Sequence, residues 1–164
     1  MNSVKASAAA KAASTRRHPH IGVLLRRARR LVDEAVLAAL HEASYSDLRY
    51  AHDGVFSFLP TDGARLTELA RRARMTKQSM GELVRDLEAL GYVSRAEDPA
   101  DGRAKVIRFT AKGQRANEVG ILAIHAAERT WAATFGESRV KTMRDALEQI
   151  SLRRDGRIES PASD

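Results

Sequence analysis

The sequence predicts a mainly α-helical protein that carries one small β-hairpin. Apolar residues recur at helical spacing over most of the chain, whereas a short stretch after Gly91 is rich in β-prone residues. Frequent alanine and an aromatic content of only 5% also favour helices. A length of 164 residues suits one globular unit, because a single hydrophobic core stops growing beyond roughly 250 residues.

The composition excludes several classes of protein. An apolar fraction of 43% with a charged fraction of 30% is typical of a folded chain. No uncharged apolar run approaches the roughly 18 residues that cross a membrane, and no secretory signal is evident, so we expect a cytoplasmic protein without a membrane partner. The absence of cysteine excludes disulfides, thiolate metal sites and cysteine nucleophiles.

The net charge of +7 favours a polyanionic partner, because each phosphate that a cation neutralises releases bound counterions. More than half of this excess comes from the leading segment, through Lys5, Lys11, Arg16 and Arg17. Residues 1–18 have no sustained apolar stripe, and we interpret them as a disordered basic arm. A tail kept for solubility explains these charges equally well, so the total charge alone does not identify a function.

Helical periodicity begins at Ile21 and predicts a long amphipathic helix over about 21–43. A second helix is expected to start at Ser44 or Ser46, since serine is a good N-cap, and to end before Pro60.

Two further helices are predicted over about 66–73 and 76–90, and Gly91 suits the left-handed position that closes the second one. Helices joined by so short a connection pack at a steep angle, which is the helix-turn-helix arrangement. Two β-prone segments, 92–95 and 104–109, then flank a polar turn at 98–102 and predict the hairpin.

The segment 76–90 sorts its side chains onto two opposite faces, at about 100° per residue. The apolar face, which should be buried, comprises Met80, Leu83, Val84, Leu87 and Leu90. Gln78, Glu82 and Arg85 lie opposite, and their side chains match the hydrogen-bonding edges of adenine, cytosine and guanine in the major groove. A plain amphipathic surface helix would show the same two faces, so the interpretation as a DNA-reading helix depends on its context.

That context includes the first turn of this helix and the hairpin. Thr76, Lys77 and Ser79 lie at the first turn, where free backbone N–H groups favour phosphate. The hairpin is basic around its tip, with Arg95, Arg103, Lys105 and Arg108. An arginine on a protruding tip can enter a narrow minor groove, and we expect Asp101 to orient the guanidinium of Arg103. A solvated turn without function is the alternative.

Five motifs occur in a fixed order, namely Leu69-Ala70, Met75-Thr76-Lys77-Gln78-Ser79-Met80, Leu87-Glu88-Ala89-Leu90-Gly91-Tyr92-Val93, Asp98-Pro99-Ala100-Asp101-Gly102-Arg103 and Phe109-Thr110-Ala111-Lys112-Gly113. Together they resemble the MarR (multiple antibiotic resistance) family of transcription regulators. The motifs cover the central third of the chain, while the flanking helices agree with the family only in their apolar pattern.

The resemblance implies a winged helix-turn-helix domain with a helical dimerisation region from both termini, acting on double-stranded DNA as a repressor or activator that small molecules often release. It also implies that Thr76, Lys77, Gln78, Ser79, Glu82 and Arg85 face the major groove, with Arg103 as the wing arginine and Asp101 and Lys105 beside it. Arg74 departs from the family, whose members often have glycine there, so we expect an unusual backbone or a different turn at this position.

A second argument predicts dimerisation, because the terminal helices carry more apolar surface than a winged helix of about 60 residues could cover. Packing within one chain is the alternative. Thr110 can cap the helix after the hairpin, and Gly136 separates that helix from the last one. The expected boundaries are one domain over 19–152, a DNA-binding core at 46–110, dimerisation helices at 21–43 and 111–152, and a polar tail at 153–164.

A pocket for a small effector is suggested by the resemblance alone. Tyr45, Arg49, Tyr50 and His52 combine aromatic rings with groups able to hold an anionic ring compound. The same four residues could equally cap and pack their helix.

The five histidines show neither metal-binding nor catalytic-triad spacing, so we expect no metal, no cofactor and no enzymatic activity. A protein-interaction adaptor that retains the fold but lacks an operator is the remaining alternative from another class.

Overall fold

The computed structural model describes residues 18–98 and 101–154. Most of the predicted basic arm and polar tail, and Pro99 and Ala100 of the wing, lie outside these residues. The elements are α1 (Ile21–Glu42), a 3-10 turn (Tyr50–His52), α2 (Asp53–Phe56), β1 (Ala64–Arg65), α3 (Leu66–Arg72), α4 (Lys77–Ala89), β2 (Val93–Asp98), β3 (Asp101–Phe109), α5 (Ala111–Phe135) and α6 (Glu137–Arg154). The prediction of a mainly helical chain with a small β-wing is confirmed.

The chain divides into two compact units between Val32 and Asp33. Within the described part of the first unit, the opening turns of α1 begin where the backbone N–H of Val23 donates to the carbonyl oxygen of His20 at 2.9 Å. None of the helices in the described ranges is both long and apolar enough to cross a membrane.

The core of the second unit lies between α2, α3, α4 and the sheet. Its fully buried side chains include Val55, Leu69, Met80, Val84, Leu87, Tyr92, Val93 and Ile107. Burying one such aliphatic side chain stabilises a fold by about 1.5–3 kcal/mol. The helix-turn-helix and the wing therefore share one core, which holds them in a set orientation to each other.

The sheet has three antiparallel strands in the order β1-β3-β2. Ala64 and Arg65 of β1 pair with Ile107 and Val106 of β3. The sequence predicted β2 and β3 as a hairpin but missed β1. A strand of two residues is too short to show alternation, and only its partner in β3 makes it a strand.

The second helix was predicted wrongly. Ser44 has φ of +67° and closes α1, because the backbone N–H of Tyr45 donates to the carbonyl oxygen of Leu40 at 2.8 Å. A residue in this left-handed conformation ends a helix and cannot begin one. Helical structure resumes only at Tyr50, and α2 spans four residues.

The turn between α3 and α4 explains the departure at Arg74. This residue has φ of +55°, as expected for a position where glycine is common. The backbone N–H groups of Arg74 and Met75 donate to the carbonyl oxygens of Arg71 and Ala70, at 3.2 and 2.9 Å. These two bonds are the Schellman motif that closes a helix, so the unusual backbone expected at Arg74 is confirmed and the turn keeps its shape.

The junction between the wing and α5 is held by Thr110 and Gly113. The hydroxyl of Thr110 donates to the carbonyl oxygen of Gly91 at 2.6 Å and accepts from the N–H of Gly113 at 3.1 Å, which caps α5. A Cβ on Gly113 would overlap the carbonyl oxygen of Tyr92, so only glycine lets α5 approach the core this closely.

Candidate nucleic-acid interface

The helix α4 presents one face to the core and the other to solvent. Met80, Val84 and Leu87 are fully buried, and Leu83 and Leu90 are partly buried. The predicted buried stripe is therefore confirmed in full for Met80, Val84 and Leu87 and in part for Leu83 and Leu90. The outward side chains are the exposed Thr76, Lys77, Gln78, Glu82 and Arg85, together with the half-exposed Ser79.

The first turn of α4 is ordered by its cap. The Thr76 hydroxyl oxygen accepts the backbone N–H of Ser79 at 3.1 Å and donates to the Ser79 hydroxyl at 2.9 Å. One turn further, the Gln78 amide nitrogen lies 3.4 Å from a carboxylate oxygen of Glu82. This spacing at the limit of a hydrogen bond leaves the Gln78 amide free to turn toward another partner.

The cations of the second unit differ in whether they have an acidic partner. Within the described residues, Lys77, Arg85 and Arg103 form no ion pair or side-chain hydrogen bond. By contrast, Arg71 and Arg72 both bind Glu68, whose pKa their hydrogen bonds lower to about 2.

Two basic residues near the wing are also paired. Arg95 binds Glu88 at 3.0 Å, and Lys105 binds Glu97 at 3.3 Å. Of the basic side chains that the sequence assigned to DNA, Lys77, Arg85 and Arg103 thus have no acidic partner among the described residues, whereas Lys105 is paired.

The wing tip is organised differently from the expectation. One carboxylate oxygen of Asp101 accepts the backbone N–H of Arg103 at 3.2 Å, whereas the guanidinium of Arg103 was expected to be its partner. The other oxygen of Asp101 faces Arg65, whose Nη2 is 3.6 Å away. The Nε of Arg65 donates to Asp98 at 2.6 Å.

Sequence reasoning placed Asp98 in the hairpin turn but missed Arg65 as a part of the wing. Arg65 precedes α3 and is remote from the hairpin along the chain, so no local pattern associates it with residues 98–103. Only the pairing of β1 with β3 brings its side chain to the tip.

The side of α4 next to Arg85 is tied to the 3-10 turn through Asp86. His52 is 1% exposed, and its Nδ1 accepts the backbone N–H of Arg49 at 3.1 Å. A neutral ring then carries its proton on Nε2, which donates to Asp86 at 2.9 Å. Asp86 also binds the guanidinium of Arg49. The hydrogen bond from His52, followed by the charge of Arg49, lowers the pKa of Asp86 against the opposing effect of burial.

The four candidate effector residues are thus placed as follows. Arg49 and His52 bind Asp86, Tyr45 packs edge-on against Tyr92 with ring centroids 6.1 Å apart, and Tyr50 is 45% exposed. Grooves of about 490 and 480 Å³ lie between α5 and α6, and none of these four residues lines them. Tyr45, Arg49 and His52 therefore each have a packing or hydrogen-bonding partner within the protein.

A second anchor joins the hairpin, α5 and the segment before the 3-10 turn. Tyr92 is fully buried, its hydroxyl donates to Asp47, and the ammonium of Lys112 lies 4.0 Å from the ring centroid. Burial and the carboxylate of Asp47 raise the pKa of Tyr92. Lys112 also donates to the carbonyl oxygen of Leu90 at 2.9 Å, at the C-terminus of α4.

Within residues 18–98 and 101–154, no three or more histidine and acidic side chains are grouped so that they could hold a metal ion.

Comparisons with known proteins match the segment that contains the helix-turn-helix and most of the wing, and they also match the overall fold. The model of the MarR family matches residues 57–104, which run from the end of α2 into β3. A MarR-family transcriptional regulator from Rhodococcus sp. RHA1 is 28% identical, with 81% of this chain and 93% of that chain covered and a TM-score of 0.64.

Two further solved structures share the fold. CouR from Rhodococcus jostii RHA1, solved bound to p-coumaroyl-CoA, is 27% identical, with 88% of this chain and 96% of that chain covered and a TM-score of 0.63. A point mutant of MepR from S. aureus, bound to an oligodeoxyribonucleotide, is 20% identical, with 81% and 96% covered and a TM-score of 0.54. No curated protein sequence gives a significant match. The resemblance inferred from the sequence motifs is confirmed.

Proposed function

Because residues 57–104 match the MarR family model and the chain has the fold of solved MarR-family regulators, we propose that it is a DNA-binding transcription regulator of this type. In this proposal it acts in the cytoplasm as a homodimer that represses transcription from an inverted repeat, and a small aromatic or anionic effector releases it.

The observation that carries the proposal is the uncompensated charge on the outward face of α4 and on the wing. Lys77 and Arg85 project from α4, and Arg103 projects from β3, without an acidic partner in the part of the chain that the structure describes, while neighbouring arginines are paired with glutamates. Unneutralised cations on a convex surface attract phosphate, and counterion release makes the attraction favourable.

Each outward side chain has a proposed role. Gln78, Glu82 and Arg85 read bases in the major groove, and Arg103 enters the adjacent minor groove. The first turn of α4 contacts phosphate through Thr76, Lys77 and Ser79. Asp101 holds the backbone of Arg103, and Lys105 contributes charge to the wing.

The homodimer is proposed from exposed apolar side chains on helices outside the DNA-binding core. In the first unit, they are Ile21, Leu24, Leu25 and Leu31 of α1, each at least 43% exposed. In the second unit, they are Ile121, Leu122, Ile124, Phe135, Met143, Leu147 and Ile150 of α5 and α6, each at least 37% exposed. Apolar surface of this extent marks an association site, so we propose residues 21–43 and 111–152 as the dimer interface and residues 46–110 as the DNA-binding core.

The effector is proposed from the structure of CouR, which was solved with an aromatic acyl-CoA bound. Tyr45, Arg49, Tyr50 and His52 are the candidate contacts. An anion that binds the guanidinium of Arg49 would break the ion pair between Arg49 and Asp86 of α4. An effector could thereby alter the position of the proposed DNA-reading helix.

Calorimetry with aromatic acids and their CoA thioesters tests the effector assignment. Arg49→Ala should weaken binding, while Asp86→Asn, which breaks the same ion pair from the other side, should preserve or strengthen it. Equal affinity of the wild-type chain and Arg49→Ala would remove Arg49 from the site.

Selection of genomic fragments by the purified chain, followed by fluorescence anisotropy, tests DNA binding. We expect an enriched inverted repeat and an affinity that falls steeply with salt. Arg103→Ala should reduce the slope of log affinity against log salt concentration by about one unit. Arg85→Ala should weaken the binding free energy by about 1–3 kcal/mol on the selected site and by less on scrambled DNA.

The control for this experiment is Lys141→Ala, which removes a charge that is paired along α6 with Asp145 at 2.7 Å. It should leave both the slope and the specificity unchanged. A chain that enriches no sequence and shows no salt-dependent affinity would be an interaction adaptor rather than a regulator with its own operator.

A further inference from the structure

We infer that Arg65 of β1 is a positioning residue for the wing: it binds Asp98 and Asp101 at the hairpin tip and so fixes the backbone from which Arg103 reaches DNA. The inference rests on the proposed function, because the role of the wing is part of that proposal.

The first argument is geometric. Arg65 spans the two ends of the tip, with Nε donating to Asp98 at 2.6 Å and Nη2 3.6 Å from Asp101. The other oxygen of Asp101 accepts the backbone N–H of Arg103 at 3.2 Å. The guanidinium of Arg65 is therefore linked to the backbone of Arg103 through one carboxylate.

The second argument concerns the regularity of the strands. Glu97 pairs with Lys105, but Asp98 pairs with Asp101, so the register shifts within the last two residues of β2. Ladder hydrogen bonds alone do not hold the segment between Asp101 and Lys105 in register with β2. The contacts of Arg65 and Asp101 supply the missing constraint where the DNA-contacting arginine is located.

The third argument is electrostatic. Asp98 and Asp101 place two negative charges beside Arg103, and carboxylates at this tip would repel the phosphates that the wing approaches. Asp98 is only 12% exposed, so water screens its charge poorly. Arg65 offsets one of these two negative charges, and both acids in turn raise the pKa of Arg65, with the Asp98 hydrogen bond as the main cause.

An ion pair that merely stabilises the fold is the alternative, and a double-mutant cycle separates the two. Fluorescence anisotropy would measure the DNA affinity of four full-length chains, namely wild type, Arg65→Gln, Arg103→Ala and the double variant. The duplex is one that the wild-type chain has enriched from genomic fragments. If Arg65 acts through Arg103, Arg65→Gln should weaken binding about three- to tenfold in the wild-type background and less than about twofold when Arg103 is already alanine.

Two further variants sharpen the test. Arg65→Lys keeps the charge but loses the planar fork, so it should retain the wild-type salt slope without the full affinity. Arg72→Gln removes a comparably exposed arginine that is paired with Glu68 on its own helix, and its effect should be additive with that of Arg103→Ala.

A measurement without DNA separates this inference from the proposed function. In the free chain, amide hydrogen exchange of Arg103 followed by NMR should accelerate in Arg65→Gln and stay unchanged in Arg72→Gln. Additive losses in the cycle, or an Arg103 amide that is indifferent to Arg65, would overturn the positioning role. A third outcome is that the Arg103 amide is protected and depends on Arg65, but the wild-type chain does not bind duplex DNA. That result would overturn the proposed function, while the contact between Arg65 and the wing would remain supported.

Discussion

At the scale of single residues, Arg74 shows a side chain placed where the backbone favours glycine. Its φ of +55° closes α3 and directs the chain into α4, so the turn depends on a conformation that costs an L-residue about 1–2 kcal/mol. The two hydrogen bonds of the Schellman motif offset that cost.

Arg74→Gly should therefore be more stable than Arg74→Ala by about 1 kcal/mol, because both variants lose the side chain but only alanine retains the strain. Chemical denaturation monitored by circular dichroism measures the difference. Comparison with alanine rather than arginine removes the contribution of side-chain contacts. An alanine variant that matches or exceeds the glycine variant would show that the turn is unstrained.

Asp86 is the second residue whose environment has a measurable consequence. Its pKa in the folded chain is lowered, chiefly by the hydrogen bond from His52 and further by Arg49. A carboxyl with a depressed folded pKa contributes stability above its unfolded pKa and loses that contribution as the pH falls through the folded value.

Asp86→Asn should accordingly be less stable than wild type at pH 7, and the gap should close as the pH falls below the ordinary value of 3.8. Urea denaturation of both chains at several pH values gives the gap directly, and taking the difference cancels the titration of other carboxyls. A gap that is constant from pH 7 to pH 2 would contradict the charged role of Asp86.

At the scale of elements, the docking of α5 against the core depends on backbone proximity at its first turn. Thr110 caps the helix, Lys112 binds Asp47 and Leu90, and Gly113 lies against the carbonyl group of Tyr92. These contacts lie within the last of the five family-like motifs. Its residues thus serve the junction between the DNA-binding core and α5, and the glycine is required by space rather than by its φ angle.

Gly113→Ala should destabilise the fold by about 1–3 kcal/mol, because the added methyl group displaces α5 from Tyr92. Gly120→Ala is the matched control on the same helix, since its Cβ would meet only a methyl group of Val36 at an ordinary 3.6 Å. That control should stabilise the chain by about 0.5–1 kcal/mol through helix propensity. If both substitutions changed the free energy of unfolding in the same direction, in thermal or urea unfolding, close approach would be ruled out as the reason for glycine at position 113.

At the scale of the whole molecule, the stability of the fold and the proposed dimer depend on different surfaces. The buried core includes side chains from the end of α1, from residues 48–59, from the helix-turn-helix, from the sheet and from the start of α5, while the later turns of α5 and α6 leave large apolar side chains in solvent. Leu122 is 63% exposed, so it contributes little to the fold of one subunit.

Leu122→Glu should dissociate the proposed dimer without lowering the stability of the subunit, because a charge is placed in the interface and none in the core. Analytical ultracentrifugation would report a halved mass at low micromolar concentration, together with loss of affinity for the inverted repeat. Thr61→Glu introduces the same charge in an exposed turn outside the proposed interface and should remain dimeric. A Leu122→Glu chain with unchanged mass would locate the interface elsewhere.

The sequence by itself determined the features that depend on local periodicity and local chemistry. The two faces of α4, the Thr110 cap and the hairpin could be derived from neighbouring residues, since helix phase and capping involve contacts within a few positions. The unusual backbone at Arg74 was expected only from the family resemblance. The second helix was wrong even at this range, because Ser44 has two local uses, as an N-cap or as a left-handed helix end, and the sequence does not rank them.

The tertiary structure alone decided which distant side chains meet. Arg65 reaches the wing through a two-residue strand, and His52 and Arg49 reach Asp86 across 34 and 37 positions of the chain. No periodicity encodes such pairs, because their energy depends on packing that exists only once the core has formed. The partners that would orient the proposed DNA-contacting residues therefore depend on the tertiary structure, whereas the proposed DNA-contacting residues themselves were chosen from local sequence patterns.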